Sequence, residues 1–265
     1  MNKNKEQMLD FLVKAFIADS DNYKNMEIPE DETQKKVVLR SLMNIRMPRK
    51  MDDEVLKVQD EHLKLCAEEK GIVELKDIPI IKDVFSIWQG DITRLKVDAI
   101  VNAANSIMLG CWAPMHLCID NQIHTFAGIQ LRAECNEKMQ ELKKKYGQDY
   151  EQPTAVPMLT DAYNLPSKKV IHIVGPIVYG ELTKELEKEL ADCYEKTLDM
   201  CLKNGLKSVA FCCISTGEFR FPKQRAAEIA IDTTKKWVLK HPFAMDRIIF
   251  NVFKDEDKKY YEKMI

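Results

Sequence analysis

Apolar side chains recur along the first 80 residues at helical spacing. Leu9, Leu12, Phe16 and Ile17 make one stripe, and Val38, Leu39, Leu42 and Met43 a second. A third, with Val55, Leu56, Leu63 and Cys66, predicts a helix from Asp52 to about Lys70. Pro29 and Pro48 fall between these stripes, where a locked φ and a missing N–H suit connections. The stripes need a covering surface, and the following domain is the nearest one.

The period changes after Gly71. Phe85–Gln89 alternates like a strand and is interrupted by Gly90-Asp91. Val97–Val101 is a short apolar strand, and helical sequence runs from about Cys118 to Lys145, with Ile119, Ile123, Ala127 and Leu131 four residues apart. Strands are predicted at 155–163 and 169–174, and a long helix at 182–203 that stops at Asn204-Gly205. Ser208–Ile214 reads as a buried strand. After a loop, Pro222 suits the first turn of a helix reaching Leu239. Arg247–Phe253 is a last strand and Asp255–Met264 a terminal helix. The expected organisation is a helical N-terminal extension, residues 1–80, followed by a three-layer α/β/α domain, residues 81–265, with a mixed, largely parallel sheet. Ligands of such a sheet bind where loops leave the strand C-termini.

Composition narrows the function. With 40 basic and 42 acidic residues, the net charge of −2 offers no nucleic-acid footprint. No apolar run is long enough to span a membrane, and the N-terminal sequence lacks a signal-peptide h-region, so a cytoplasmic location is expected. The eight cysteines are therefore expected as thiols or metal ligands.

Three segments carry candidate chemistry. In the loop after the second strand, Asn102 and Asn105 supply amides that either grip hydroxyls or cap turns. Cys111, His116 and Cys118 form C-x4-H-x-C, a soft-ligand set suited to one zinc ion with an open fourth position. A packed loop with reduced thiols is the alternative. Asp120 follows near a helix N-terminus, where a carboxylate is favoured and its pKa is expected to fall; it either orients a water or hydroxyl or caps the helix. His124, one turn on, is expected to be a buried imidazole bonded to backbone. Ser215-Thr216-Gly217-Glu218-Phe219 lies between a strand and a helix, where successive N–H groups can cradle a diphosphate, and Gly217 can either adopt left-handed dihedrals or let a ligand approach closely. Asp91 beyond the first strand either accepts from an adenine amino group or is a simple turn residue. Cys66 and Cys193 read as packing residues, since neither has an activating neighbour.

Taken together, Gly90-Asp91-Ile92-Thr93, Val97–Asn105, Asp120 with Ile123-His124, Ala127-Gly128, Glu134-Cys135 and Ile214–Gly217 resemble the macrodomain family. With Cys111, His116 and Cys118, and with the helical extension, the chain looks like the zinc-containing, sirtuin-associated protein-ADP-ribose hydrolases of that family. The resemblance covers about residues 81–254. It implies an ADP-ribose site in which Asp91 and Ile92 hold adenine, Asn105 holds the distal ribose and Asn102 supports the loop. Ser215, Thr216, Gly217, Glu218 and Phe219 would wrap the diphosphate, and Asp120 would position water. It further implies mono-ADP-ribosylated proteins as substrates, with Asp or Glu esters favoured, and an association with sirtuin-like transferases and lipoate-carrier proteins. The sequence departs from many macrodomain hydrolases by having Trp112–Cys118 in place of a glycine run, and Glu218-Phe219-Arg220 in place of Tyr-Gly. Two alternatives remain at this point: an ADP-ribose reader without turnover, and a structural zinc protein acting through its N-terminal helices.

Overall fold

The computed structural model describes residues 4–265, so the first three residues of the expected extension lie outside the described residues. Three helices open the chain: α1 (Lys5–Asp19), α2 (Glu32–Ile45) and α3 (Asp53–Lys70). Each starts on a side-chain cap. Asn4 accepts from the Gln7 N–H while the Gln7 side chain accepts from the Asn4 N–H, and Asp31 and Asp52 accept from Gln34 and Glu54. Their apolar stripes form one cluster, including Leu12, Phe16, Leu42, Met43, Val58 and Leu63, which takes Ile129 from the rest of the chain. The stripes are thus covered chiefly by one another, rather than by the following domain.

The remainder comprises β1 (Val73–Glu74), β2 (Phe85–Gln89), β3 (Leu95–Lys96), β4 (Ala99–Ala104), α4 (Ile119–Ala127), α5 (Ile129–Tyr146), β5 (Met158–Asp161), β6 (Lys169–Val174), α6 (Lys184–Lys203), β7 (Ser208–Phe211), α7 (Lys223–Lys240), β8 (Arg247–Val252) and α8 (Asp255–Glu262). The main sheet has the order β2-β8-β7-β4-β6-β5, parallel throughout except for β5 against β6. The short β1 and β3 pair separately. Helices α4 and α5 pack together, α6, α7 and α8 form a second group, and the sheet lies between in the three-layer α/β/α arrangement expected. The inner strands are buried on both faces, which is why Val170–Val174 and Ile248–Val252 read as nearly unbroken apolar runs.

Two differences from the sequence expectation bear on the site. Strand β4 begins at Ala99 and runs to Ala104, so Asn102 is a central-strand residue and not a loop residue. The helix expected at 118–145 is two helices, broken at Gly128 with φ +97°. A Cβ there would stand 2.7 Å from Gln59 Nε2, which leaves glycine as the residue that fits. Gln59, on α3, crosses the break by accepting from the Ile129 N–H and donating to Gln130 Oε1 at 2.6 Å. The eight cysteines are all free thiols. No described helix is long and apolar enough to cross a membrane.

Candidate active site

The C-terminal ends of β2, β4, β7 and β8 open into a cleft of about 850 Å³, within the usual range for a small-molecule site. Its lining includes Asp91, Ile92, Asn105, Cys111, His116, Cys118, Asp120, Ser215, Thr216, Gly217, Glu218 and Phe219. Of the residues expected to bind ligand, Asn102 is absent from the wall because it is fully buried beneath it. Strand order arranges the rest: the Asp91 turn lies after edge strand β2, the Asn105–Cys118 loop after β4, and the Ser215 loop after β7, which stands between them. Three strand spacings separate β2 from β4, about 14 Å.

At the β2 end, Asp91 is held on both oxygens. Oδ1 accepts from the Thr93 N–H at 3.0 Å and the Thr93 hydroxyl at 2.6 Å, and Oδ2 accepts from Lys70 Nζ at 3.1 Å. Burial alone would raise this carboxyl, but the Thr93 bonds and the Lys70 ammonium outweigh it and hold it below the usual range. Lys70 is the last residue of α3 and also lies 3.0 Å from the centre of the Phe126 ring.

At the β4 end, register decides the chemistry. Parallel pairing puts Asn102 beside His172 of β6. Asn102 Nδ2 donates to Asp120 Oδ1 at 2.7 Å and to His172 Nδ1 at 3.0 Å. Both amide protons face acceptors, so His172 carries its proton on Nε2, which reaches Thr160 Oγ1 at 3.0 Å. Burial pushes the His172 pKa down to about 3, keeping the ring neutral and able to accept. Asn105 uses Oδ1 to accept from the Ile107 N–H, while Nδ2 lies 3.2 Å from the Gly110 carbonyl and 3.5 Å from Asp120 Oδ2.

Asp120 does not cap α4; Cys118 does, its Sγ accepting from the Asn121 N–H. Nor is its pKa lowered by the helix terminus as expected. Burial dominates and pushes it up to about 6, against the opposing pull of the Asn102 amide and the Arg132 guanidinium. His124 is buried as expected, yet neither ring nitrogen finds a hydrogen-bond partner, in backbone or elsewhere, among the described residues. Its Nε2 lies 3.6 Å from Asp120 Oδ1, and burial, helped by His172 and Arg132, keeps the imidazole neutral. The ring packs over Gly110, whose φ is +79° and whose added Cβ would stand 2.8 Å from it.

Cys111, His116 and Cys118 converge beside Asp120. Their donor atoms lie within 4.8 Å of one another, with Cys111 Sγ 3.5 Å from His116 Nδ1. Tetrahedral zinc holds thiolate sulfur and imidazole nitrogen about 3.5 Å apart, so the Cys111–His116 pair already stands at zinc spacing and Cys118 is near enough to complete the set. A second cluster, His124, Cys135 and His172, is fully buried, and there the His172 nitrogens are already used by Asn102 and Thr160.

In the loop after β7 the left-handed residues are Arg220 (φ +58°) and Ser215 (φ +64°), and Gly217 is not one of them. Gly175 makes room for Ser215, since a Cβ on Gly175 would collide with Ser215 Oγ. The amides of Thr216, Arg220 and Phe221 are bonded inside the turn. Those of Gly217, Glu218 and Phe219 have no protein acceptor among the described residues, the condition for an anion cradle. Phe219 also packs against the Ala104–Met108 cluster.

Sequence reasoning missed the wall supplied by Asn251, Phe253 and Lys254 at the end of β8 and by Asp257 on α8. Phe253 is 74% exposed; an aromatic just past the last buried strand position was the available signal. Lys70 gave none, because its contact with Asp91 spans 21 residues.

The family model described as "Macro domain" matches residues 101–230. A protein from Treponema medium named "Protein-ADP-ribose hydrolase" is 48% identical over 259 residues, covering 96% of this chain and 97% of its own length. One of the same name from Staphylococcus aureus (strain MSSA476) is 38% identical over 98% of this chain and 96% of its own. Among solved structures, a Trypanosoma brucei macrodomain in complex with ADP-ribose superposes with a TM-score of 0.64 at 27% identity, over 89% of this chain and 96% of that one. On the length and identity of these matches, the chain belongs to the protein-ADP-ribose hydrolase family of macrodomain proteins.

Proposed function

We propose that this protein hydrolyses the bond between ADP-ribose and a modified protein side chain, an Asp or Glu ester, with one zinc ion in the site. The observation that carries the reading is a single cleft with a hydrogen-bonded carboxylate, Asp91, at one end and the Cys111–His116–Cys118 set with Asp120 at the other. Asp91 takes the adenine amino group, and the Ile92 backbone reads the ring edge. The unbonded amides of Gly217, Glu218 and Phe219 receive the diphosphate, with Ser215 and Thr216 completing the turn. Asn105 holds the distal ribose. Asp120, kept in place by Asn102, orients the attacking water and takes its proton as the ester bond to the ribose breaks.

Cys111, His116 and Cys118 would hold the zinc, whose positive charge supplies Lewis-acid polarisation next to the distal ribose. Holding both ends of ADP-ribose orients the scissile bond against Asp120, so binding at Asp91 and chemistry at Asp120 separate in kinetic terms. In this reading residues 81–265 form the macrodomain and residues 1–80 its helical extension. The protein acts in the cytoplasm, reversing a sirtuin-like transferase, with lipoate-carrier proteins as the proposed modified partners.

The test is release of free ADP-ribose from Asp/Glu-, Ser- and Arg-linked ADP-ribosyl proteins by metal-replete protein, before and after chelation. Release from the ester alone, lost on chelation and restored by zinc, is expected. Binding of ADP-ribose without release from any of the three would make the protein a reader instead.

A further inference from the structure

The loop that carries Cys111, His116 and Cys118 has little regular structure of its own. Met115 sits at φ +60°, and the local backbone bond across the turn is His116 N–H to the Ala113 carbonyl at 3.2 Å. Its back, away from the cleft, is bonded instead to α2 and α4. Arg40, on α2, donates from Nη2 to the His116 carbonyl and to Asn121 Oδ1, both at 2.9 Å. Asn44, one turn further on and 1% exposed, accepts from the Met115 N–H at 3.1 Å and donates to Thr125 Oγ1 at 2.9 Å. Asn121, fully buried on α4, donates from Nδ2 to the carbonyls of Ala113 (2.9 Å) and Cys111 (3.5 Å). Its backbone N–H reaches Cys118 Sγ at 3.4 Å.

Backbone groups at positions 111, 113, 115 and 116 of the loop are therefore held from behind, and two of the holding side chains come from a helix more than 70 residues away in sequence. A buried asparagine and a half-buried arginine on α2 cost desolvation wherever they are left unbonded. Here each makes one bond to the backbone of the metal loop and one to a side chain of α4, Asn121 for Arg40 and Thr125 for Asn44. Neither lines the cleft.

We propose that Arg40 and Asn44 are positioning residues for the metal loop: they set the spacing of Cys111, His116 and Cys118, so that α2 is part of the active site and not a separate docking module. The inference rests on the metal reading of that loop. Outer-shell partners of this kind typically change metal affinity or activity 10- to 100-fold when removed.

The test uses the full chain with Arg40→Ala, Arg40→Lys, Asn44→Ala and, as a control, Leu12→Ala, which opens the N-terminal core without touching the loop. Zinc affinity is read by competition with a chromophoric chelator, alongside Tm, kcat and KM. Arg40→Ala and Asn44→Ala are expected to weaken zinc at least tenfold and lower kcat at zinc levels that saturate the wild type, with KM within about threefold. Arg40→Lys, which can still reach the His116 carbonyl, is expected to recover part of the affinity. Leu12→Ala is expected to lower Tm as much or more and leave zinc affinity unchanged. Wild-type affinity in both alanine variants would overturn the inference, as would equal zinc loss in the Leu12→Ala control. A wild type that takes up no zinc would instead overturn the metal reading, and the inference with it.

Discussion

Replacing Asp91 by Asn keeps the shape of the turn and removes one charge. The carboxylate is tied down by Thr93 and Lys70, so it is aimed before any ligand arrives and little ordering remains to be done on binding. A hydrogen bond to a charged group contributes about 1.5–3 kcal/mol. The Asp91 side chain is 31% exposed, so solvent screening places it at the lower end, about tenfold in Kd for ADP-ribose. Calorimetric titration of wild type and D91N with ADP-ribose, and with its hypoxanthine analogue, reads the effect. The analogue presents a carbonyl where adenine presents an amino group, so the wild type should discriminate against it. The amide of D91N can serve either, so the preference should collapse. Since its pKa is held below the usual range, the carboxylate is ionised throughout the neutral range, and wild-type affinity should be flat there. The same sign governs folding: its stabilisation is complete above the unfolded value and is lost as pH falls through the lowered one. An unchanged preference for adenine in D91N would refute the assignment of Asp91 to the nucleotide end.

Three further outcomes are expected. Asp120→Asn should lower kcat by about 10²–10⁴-fold while ADP-ribose affinity, read by calorimetry, stays within a few-fold; a matching loss of affinity would remove it from the chemical step. His172→Phe keeps a ring, though a slightly larger one, at this buried position and takes away the acceptor that fixes the Asn102 amide, so kcat should fall about tenfold with Kd unchanged, and full activity would show that Asp120 needs no such support. Gly110→Ala places a methyl group against the His124 ring at a left-handed position, which costs about 1–3 kcal/mol, seen as a drop in Tm of about 3–10 °C; an unchanged Tm would mean the loop relaxes freely.

Much of this architecture is legible in the chain because burial is periodic. The stripes of α1, α2 and α3, and the apolar runs of β6 and β8, announce themselves, as does the mixed sheet they imply. The break at Gly128 does not, since Ile123, Ala127 and Leu131 keep helical spacing straight through it. The same holds for Ser215, where the strained backbone falls on the serine because Gly175, distant in sequence, opens the space. The site residues Asp91, Asn105 and Cys111–Cys118 stand out by type and by position after strands. The raised pKa of Asp120 is invisible locally: a helix N-terminus argues one way, and burial under the loop argues the other with more force. Arg40, Asn44 and Lys70 reach the site through tertiary contacts, which no local pattern encodes.

Crystallographic data from the zinc-loaded protein soaked with ADP-ribose, collected at the zinc absorption edge, address the two-ended cleft most directly. One anomalous peak bonded to Cys111, His116 and Cys118, with the distal ribose beside it and the adenine at Asp91, is the outcome expected. Adenine lying at the Cys118 end, or a zinc peak outside the cleft, would contradict it.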